Sequence, residues 1–105
     1  MRILKITEYS IEFDNGKDMS FDHDQESCEI NYADFEQLDS LARDVDFSEP
    51  LVFESCDYGF RFGNPPINMF FVPCYSIQNG YYSSELDIWY DGKEVIHGIE
   101  CPVAS

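Results

Sequence analysis

The sequence predicts an α+β domain: an antiparallel sheet of five to seven strands built from hairpins, with one helix packed on one face. Three observations carry this expectation. Short segments of alternating apolar and polar residues recur through most of the chain. Asp-Gly and Asn-Gly dipeptides, the strongest short hairpin signals, separate several of them. Helical periodicity occurs once. With 105 residues the chain fits one core, so residues 1–105 read as a single globular domain. Hydrophobic residues make up 44% and aromatic residues 16%, too many for a disordered acidic tail.

Residues 3–13 read as a strand in which the apolar positions change parity, from Leu4 and Ile6 to Tyr9, Ile11 and Phe13. A bulge near Thr7 or Glu8 would reconcile the two faces. Asp14-Asn15-Gly16 then forms a three-residue loop with Gly16 left-handed, pairing Phe13 with Lys17. That register sets Ile11 opposite Met19 and Tyr9 opposite Phe21. Phe35, Leu38, Leu41, Ala42 and Val45 follow three- and four-residue steps and predict a helix, with Asn31 as a plausible cap and a stop before Pro50. Strands follow at 51–55, 58–62, 68–75, 84–90 and 93–99. Asp91-Gly92 is read as a tight turn joining Tyr90 to Lys93, which aligns Ile88 with Val95 and Leu86 with His97. A second tight turn at Asn79-Gly80 would bring Phe71 to Ile88, Met69 to Tyr90 and Phe70 to Trp89. Pro73 within this pattern argues for an edge or a bulge. Both faces carry aromatics, so one face is left to form a second buried layer or an exposed contact surface.

Charge narrows the partner. Twenty-one acidic residues against six Lys and Arg give a net charge of −15 and a pI near 4.1. Counterion-releasing contact with nucleic acid needs clustered cations that the chain lacks, and anionic membrane surfaces are disfavoured in the same way. A basic protein surface is the complementary partner. From Glu12 to Asp57 fifteen acids face only Lys17 and Arg43, so the acidity belongs to the first half. No apolar run reaches the roughly 18 residues of a membrane span, and Lys5 interrupts the N-terminal hydrophobic stretch. A soluble, cytoplasmic protein without a cofactor is the expectation. Cys28, Cys56, Cys74 and Cys101 contain no Cys-x-x-Cys and read as free thiols.

The candidate binding residues are Asp22, Asp24, Glu26, Glu29, Asp34, Glu36 and Asp39 for charge, with Tyr81, Tyr82 and Trp89 as rigid amphipathic contact area. The densest polar cluster runs from His23 and Asp24 to Cys28 and Glu29. A thiol, an imidazole and carboxylates suit a metal site or an activated nucleophile, yet His23 continues the Met19 and Phe21 face by parity, and the rest serves equally to turn the chain. His97 and Cys101 form a later pair, so a site from His23, Cys28, His97 and Cys101 is the metal alternative. No Gly-x-Ser-x-Gly, phosphate-cradling loop or His-Glu-x-x-His occurs, and no catalytic residue is assigned.

Two blocks, His23-Asp24-Gln25-Glu26-Ser27-Cys28-Glu29-Ile30-Asn31-Tyr32 and Asn79-Gly80-Tyr81-Tyr82-Ser83, resemble those of a family of small uncharacterised proteins found largely in bacteriophages and their hosts. That family carries a His-Asp-Gln-x-Cys-Cys-Glu-x-x-Tyr block and an Asn-Gly-Tyr-Tyr-Ser block. Ser27 stands here for the first cysteine of the pair, which weakens a two-thiol centre. The resemblance implies a phage or mobile-element origin more than a function, since the family has no established activity to carry over. Three functions follow as alternatives: an acidic binding protein of inhibitor, immunity or DNA-mimic type, a small metal protein or enzyme centred on His23, Asp24, Cys28 and Glu29, or a domain whose acidity only keeps it soluble.

Overall fold

The structure is a computed structural model and describes residues 1–22, 30–77 and 85–102, without the side chains of Asp22 and Ile30. Nine strands and one short helix are assigned among these residues: β1 Ile3–Ile6, β2 Ser10–Phe13, β3 Asp18–Asp22, β4 Ile30–Ala33, α1 Leu38–Leu41, β5 Val52–Cys56, β6 Gly59–Asn64, β7 Asn68–Ile77, β8 Glu85–Tyr90 and β9 Lys93–Glu100. They build two antiparallel sheets, ordered β1-β2-β3-β8-β9 and β4-β7-β6-β5. The all-antiparallel expectation holds, but the strands divide between a five-stranded and a four-stranded sheet instead of joining one.

Residues 3–13 form a hairpin that turns at Thr7 and Glu8, where the sequence predicts a bulge, and the register irregularity lies instead between Ile3 and Lys5. Ile6 pairs with Ile11 and Ile3 with Phe13. The turn is held by the Thr7 hydroxyl, which accepts from the Tyr9 and Ser10 N–H groups at 3.2 and 3.0 Å. A hydroxyl bonding to nearby backbone substitutes here for the Gly or Asn that a tight turn usually requires. The next turn is as the sequence predicts: Phe13 N–H donates to Lys17 O at 2.9 Å, Gly16 has φ +86°, and Ile11 pairs with Met19. Tyr9 lies outside the strands, although its ring still sits 6.4 Å from that of Phe21.

The helix is shorter than the periodicity suggests. Phe35, Leu38 and Ala42 are buried as expected, but Leu41 is 59% exposed and only Leu38–Leu41 is helical. Gln37 offers no side-chain cap and the last turn has no basic residue, while Asp44 and Asp46 follow where the helix dipole disfavours anions. Asn31 is not a cap. It lies in β4, 1% exposed, donates from Nδ2 to Glu85 O at 3.0 Å and accepts the Ser76 hydroxyl. This buried polar pair ties the four-stranded sheet to the start of β8.

The expected pairing across Asn79-Gly80 does not form. β7 pairs with β4 and β6, and β8 with β3 and β9, so Phe71 meets Arg61 and Ile88 meets Phe21. Pro73 sits where β4 ends. Its carbonyl accepts from Asp34 N–H at 2.9 Å, while Cys74 N–H donates to Tyr58 O on the other side. Within a strand the N and O of one residue point to the same neighbour, so the missing N–H of Pro73 faces the side that β4 leaves open.

Rings join the two sheets. Phe13 and Tyr90 of the first sheet lie 5.9 Å apart, and Tyr90 reaches Phe53 of the second at 5.6 Å. Phe47, in the connection after α1, contacts Phe13, Phe62 and Phe70 at 6.1, 5.6 and 5.7 Å. Edge-on and tilted rings at this spacing add to the burial of their area. The second buried layer left open by the sequence is therefore the other sheet. Among the described residues no helix is long and apolar enough to cross a membrane.

Candidate docking face

Inward and outward residues alternate along the five-stranded sheet. Ile11, Phe13, Met19, Leu86, Ile88 and Tyr90 point to the core. Glu12, Asp18, Glu85, Asp87 and Trp89, one step away, point outward. The last strand keeps its charges outward by two irregularities. Tyr90 pairs with Lys93 as expected, but Ile88 pairs with Ile96 and Leu86 with Ile99, in place of Val95 and His97. Gly98 adopts φ +75°, which supplies the left-handed residue of a bulge, and its N–H donates to Asp87 Oδ1 at 2.8 Å. Each slip turns the following side chains over. His97, which the simple register aims at the core, is 80% exposed.

The result is a sheet face on which six described carboxylates, Glu12, Asp18, Glu85, Asp87, Glu94 and Glu100, accompany the bases Lys5 and His97. Register makes this face electrostatically costly. Glu12 lies directly opposite Asp18 and Glu85 directly opposite Glu100, and the position of Asp22 is opposite Asp87. Like charges directly opposed across strands destabilise a sheet. Lys5 opposite Glu12 offsets part of this. Trp89 occupies the centre, with Ser20 on one side and Glu94 on the other. It is half-buried, and its Nε1 is shielded from solvent without a hydrogen-bond partner.

His97 Nδ1 lies 2.7 Å from Glu94 Oε1 and 3.0 Å from Asp87 Oδ1. The bond to Glu94, then the charges of Asp87 and Glu94, raise its pKa above the usual imidazole range. A raised pKa means that the folded protein binds this proton more tightly than the unfolded chain. The stabilisation is thus present at pH below the ordinary imidazole pKa and fades as pH rises through the folded value. The His97 ring resonances in NMR are expected to titrate with a midpoint above the usual one. Glu94→Gln is expected to bring the midpoint down, and an unaltered midpoint would disprove the contact. The three groups each offer one donor atom within 4.8 Å of the others.

A second feature lies between the sheets. The β1–β2 turn and β4 border a cleft of about 910 Å³ whose walls include Ile6, Tyr9, Phe21, Tyr32, Phe35 and Ile77, with Glu8, Asp34 and Glu36 among them. Asp34 Oδ1 accepts the Glu36 N–H at 3.1 Å. Burial, then the Asp34 charge, pushes the Tyr32 hydroxyl above the ordinary phenol range.

Comparison with protein families, curated proteins and solved structures finds no match.

Of the residues singled out from sequence, Trp89 lies on the outer sheet face, Asp22 at its edge in register, and Asp34 and Glu36 at the cleft. Asp39, on the helix, instead pairs at 3.0 Å with Arg43, which lies just beyond it. Asp24, Glu26, Glu29, Tyr81 and Tyr82, with His23 and Cys28, lie outside the described residues. His97 and Cys101 do not meet: His97 is exposed, whereas Cys101 is 2% exposed and its thiol donates to Ile99 O. Cys56, Cys74 and Cys101 are free thiols, as expected. Several of the described first-half acids are tied up in separate ion pairs instead of sharing one face. Asp46 pairs with the N-terminal amine, Glu49 with Lys17 and Glu54 with Arg61, while the outer face draws four of its six carboxylates from β8 and β9. Nothing in the spacing of those residues along the chain marks them out, because acidic residues are frequent throughout it. The missing signal was which of them stand opposite one another.

Proposed function

We propose that this chain is a non-catalytic acidic binding protein, of the phage or mobile-element origin that its two sequence blocks suggest, and that it docks the outer face of its five-stranded sheet on a basic protein surface. One observation carries the reading: like charges stand directly opposite each other on an exposed face, at a cost to folding. Charge needed only for solubility has no reason to accept that cost, since dispersed carboxylates serve as well. A cationic partner removes the repulsion on binding, and Trp89 offers a large ring at the centre of the contact. Six carboxylates are few beside the roughly 18 charges that a 30 Å length of duplex DNA presents. An inhibitor or immunity type of contact therefore fits better than a charge-for-charge DNA mimic.

The test uses Asp18→Lys/Glu100→Lys, which turns the Glu12–Asp18 and Glu85–Glu100 pairs into opposite-charge pairs. Stability in urea is expected to rise by about 0.2–1 kcal/mol per pair, because both sites are exposed and the core is untouched. A protein retained from host lysate by the parent chain is expected to associate more slowly as salt rises and to escape the variant. Equal retention by the variant, or a fall in stability, would contradict the proposal.

A further inference from the structure

The cleft at the β1–β2 turn is built by a local rule. The Thr7 hydroxyl closes a turn that carries Glu8 and Tyr9 at its tip, and β4, an edge strand of the other sheet, supplies Tyr32 and leads into Asp34 and Glu36. Its described lining holds three carboxylates and no Lys, Arg or His. Tyr9 is 67% exposed and Ile77 49% exposed, so the apolar surface continues from the cavity onto its rim. Rings beside carboxylates suit a side chain with an alkyl stem and a cationic head, the stem on the ring and the head over its face or at the carboxylate. The volume of about 910 Å³ lies near the top of the roughly 300–1,000 Å³ that compact ligands fill. Together with the open rim it favours several residues of a chain over one small cation.

We infer that this cleft seats a short cationic, partly apolar segment of the partner polypeptide, with arginine or lysine heads at Glu8, Asp34 and Glu36 and apolar groups against Tyr9, Tyr32 and Ile77. The inference deepens the proposed function and rests on it. It adds a peptide-binding site at the sheet edges to the broad contact on the outer face.

The probe is a fluorescent hexapeptide of alternating arginine and leucine with blocked ends, its affinity read by anisotropy. It is expected to bind the parent protein, while the glutamate-leucine counterpart does not. Tyr9→Ala and Glu36→Lys, both at exposed positions, are each expected to weaken binding by about tenfold with little change in melting temperature. Asp18→Lys/Glu100→Lys is expected to keep the peptide affinity within about threefold. Undiminished binding to both cleft variants, or free argininamide binding as tightly as the peptide, would overturn the cleft assignment. Peptide binding lost only in Asp18→Lys/Glu100→Lys would overturn it as well and move the site to the outer face. Failure of the outer-face reading shows separately, as lysate retention that ignores the Asp18 and Glu100 charges.

Discussion

Phe47→Ala is expected to lower stability by about 3–5 kcal/mol, the range for removing a buried ring. Phe47 is 2% exposed and contacts Phe13 of one sheet and Phe62 and Phe70 of the other. Its removal leaves a void between two sheets whose backbones are fixed by their own ladders, so the site cannot collapse to fill it. The same residue anchors the chain start: its N–H donates to Met1 O, and its carbonyl accepts the N-terminal amine at 2.7 Å. A loss of this size is a large part of the roughly 5–15 kcal/mol that holds an ordinary domain folded. In a chain with net charge −15 the remaining margin depends on screening. The variant is therefore expected to be partly unfolded at low salt and to regain structure as salt rises. Urea titration at two salt concentrations measures both effects, and a change below about 1 kcal/mol would show that the ring is not the link between the sheets.

Gly63→Ala is the second large effect. Gly63 stands in β6, flanked by Val52 of β5 and Met69 of β7, with φ +145°. A methyl group there would fall 1.8 Å from the carbonyl oxygen of Asn68. That neighbour is backbone, and β6 is held on both sides, so neither partner can move aside without opening the hairpin. A loss of at least about 3 kcal/mol is expected from the forced conformation and the clash together. Gly16→Ala is the control. Gly16 also has positive φ, but nothing lies within 4 Å of the added methyl, so only the left-handed conformation is charged, about 1–2 kcal/mol. Equal effects in thermal melts would refute the steric argument.

These two positions bear on the candidate site because the outer face of the five-stranded sheet is an unfavourable arrangement held in place by the core. Ile11, Met19, Ile88 and Ile99 are fully buried on the inner side of the same strands. Their burial fixes the register, and register sets Glu12 against Asp18 and Glu85 against Glu100 on the outer side. A one-residue slip would separate the like charges but would turn the inner residues out to water. Apolar burial wins, and the charges are carried along.

Much of the local structure was legible in the sequence. Turn chemistry located the Gly16 and Asp91-Gly92 hairpins, and alternation located all five strands of the second half. Where the signal lies in a glycine or in side-chain period, neighbours in sequence decide the structure, and residue order is enough. The β1–β2 turn escaped because a threonine hydroxyl does the work usually given to glycine. β4 escaped because its inward asparagine finds its partners, Ser76 and Glu85, far away along the chain.

The sequence by itself determined an acidic, aromatic-rich antiparallel domain and the pairing of residues joined by tight turns. Only the tertiary structure decided how many sheets there are, which strands neighbour one another, and where the charge gathers. A strand pair brought together by a long connection depends on which apolar faces fit in three dimensions, and the charges on its far side follow that choice without directing it.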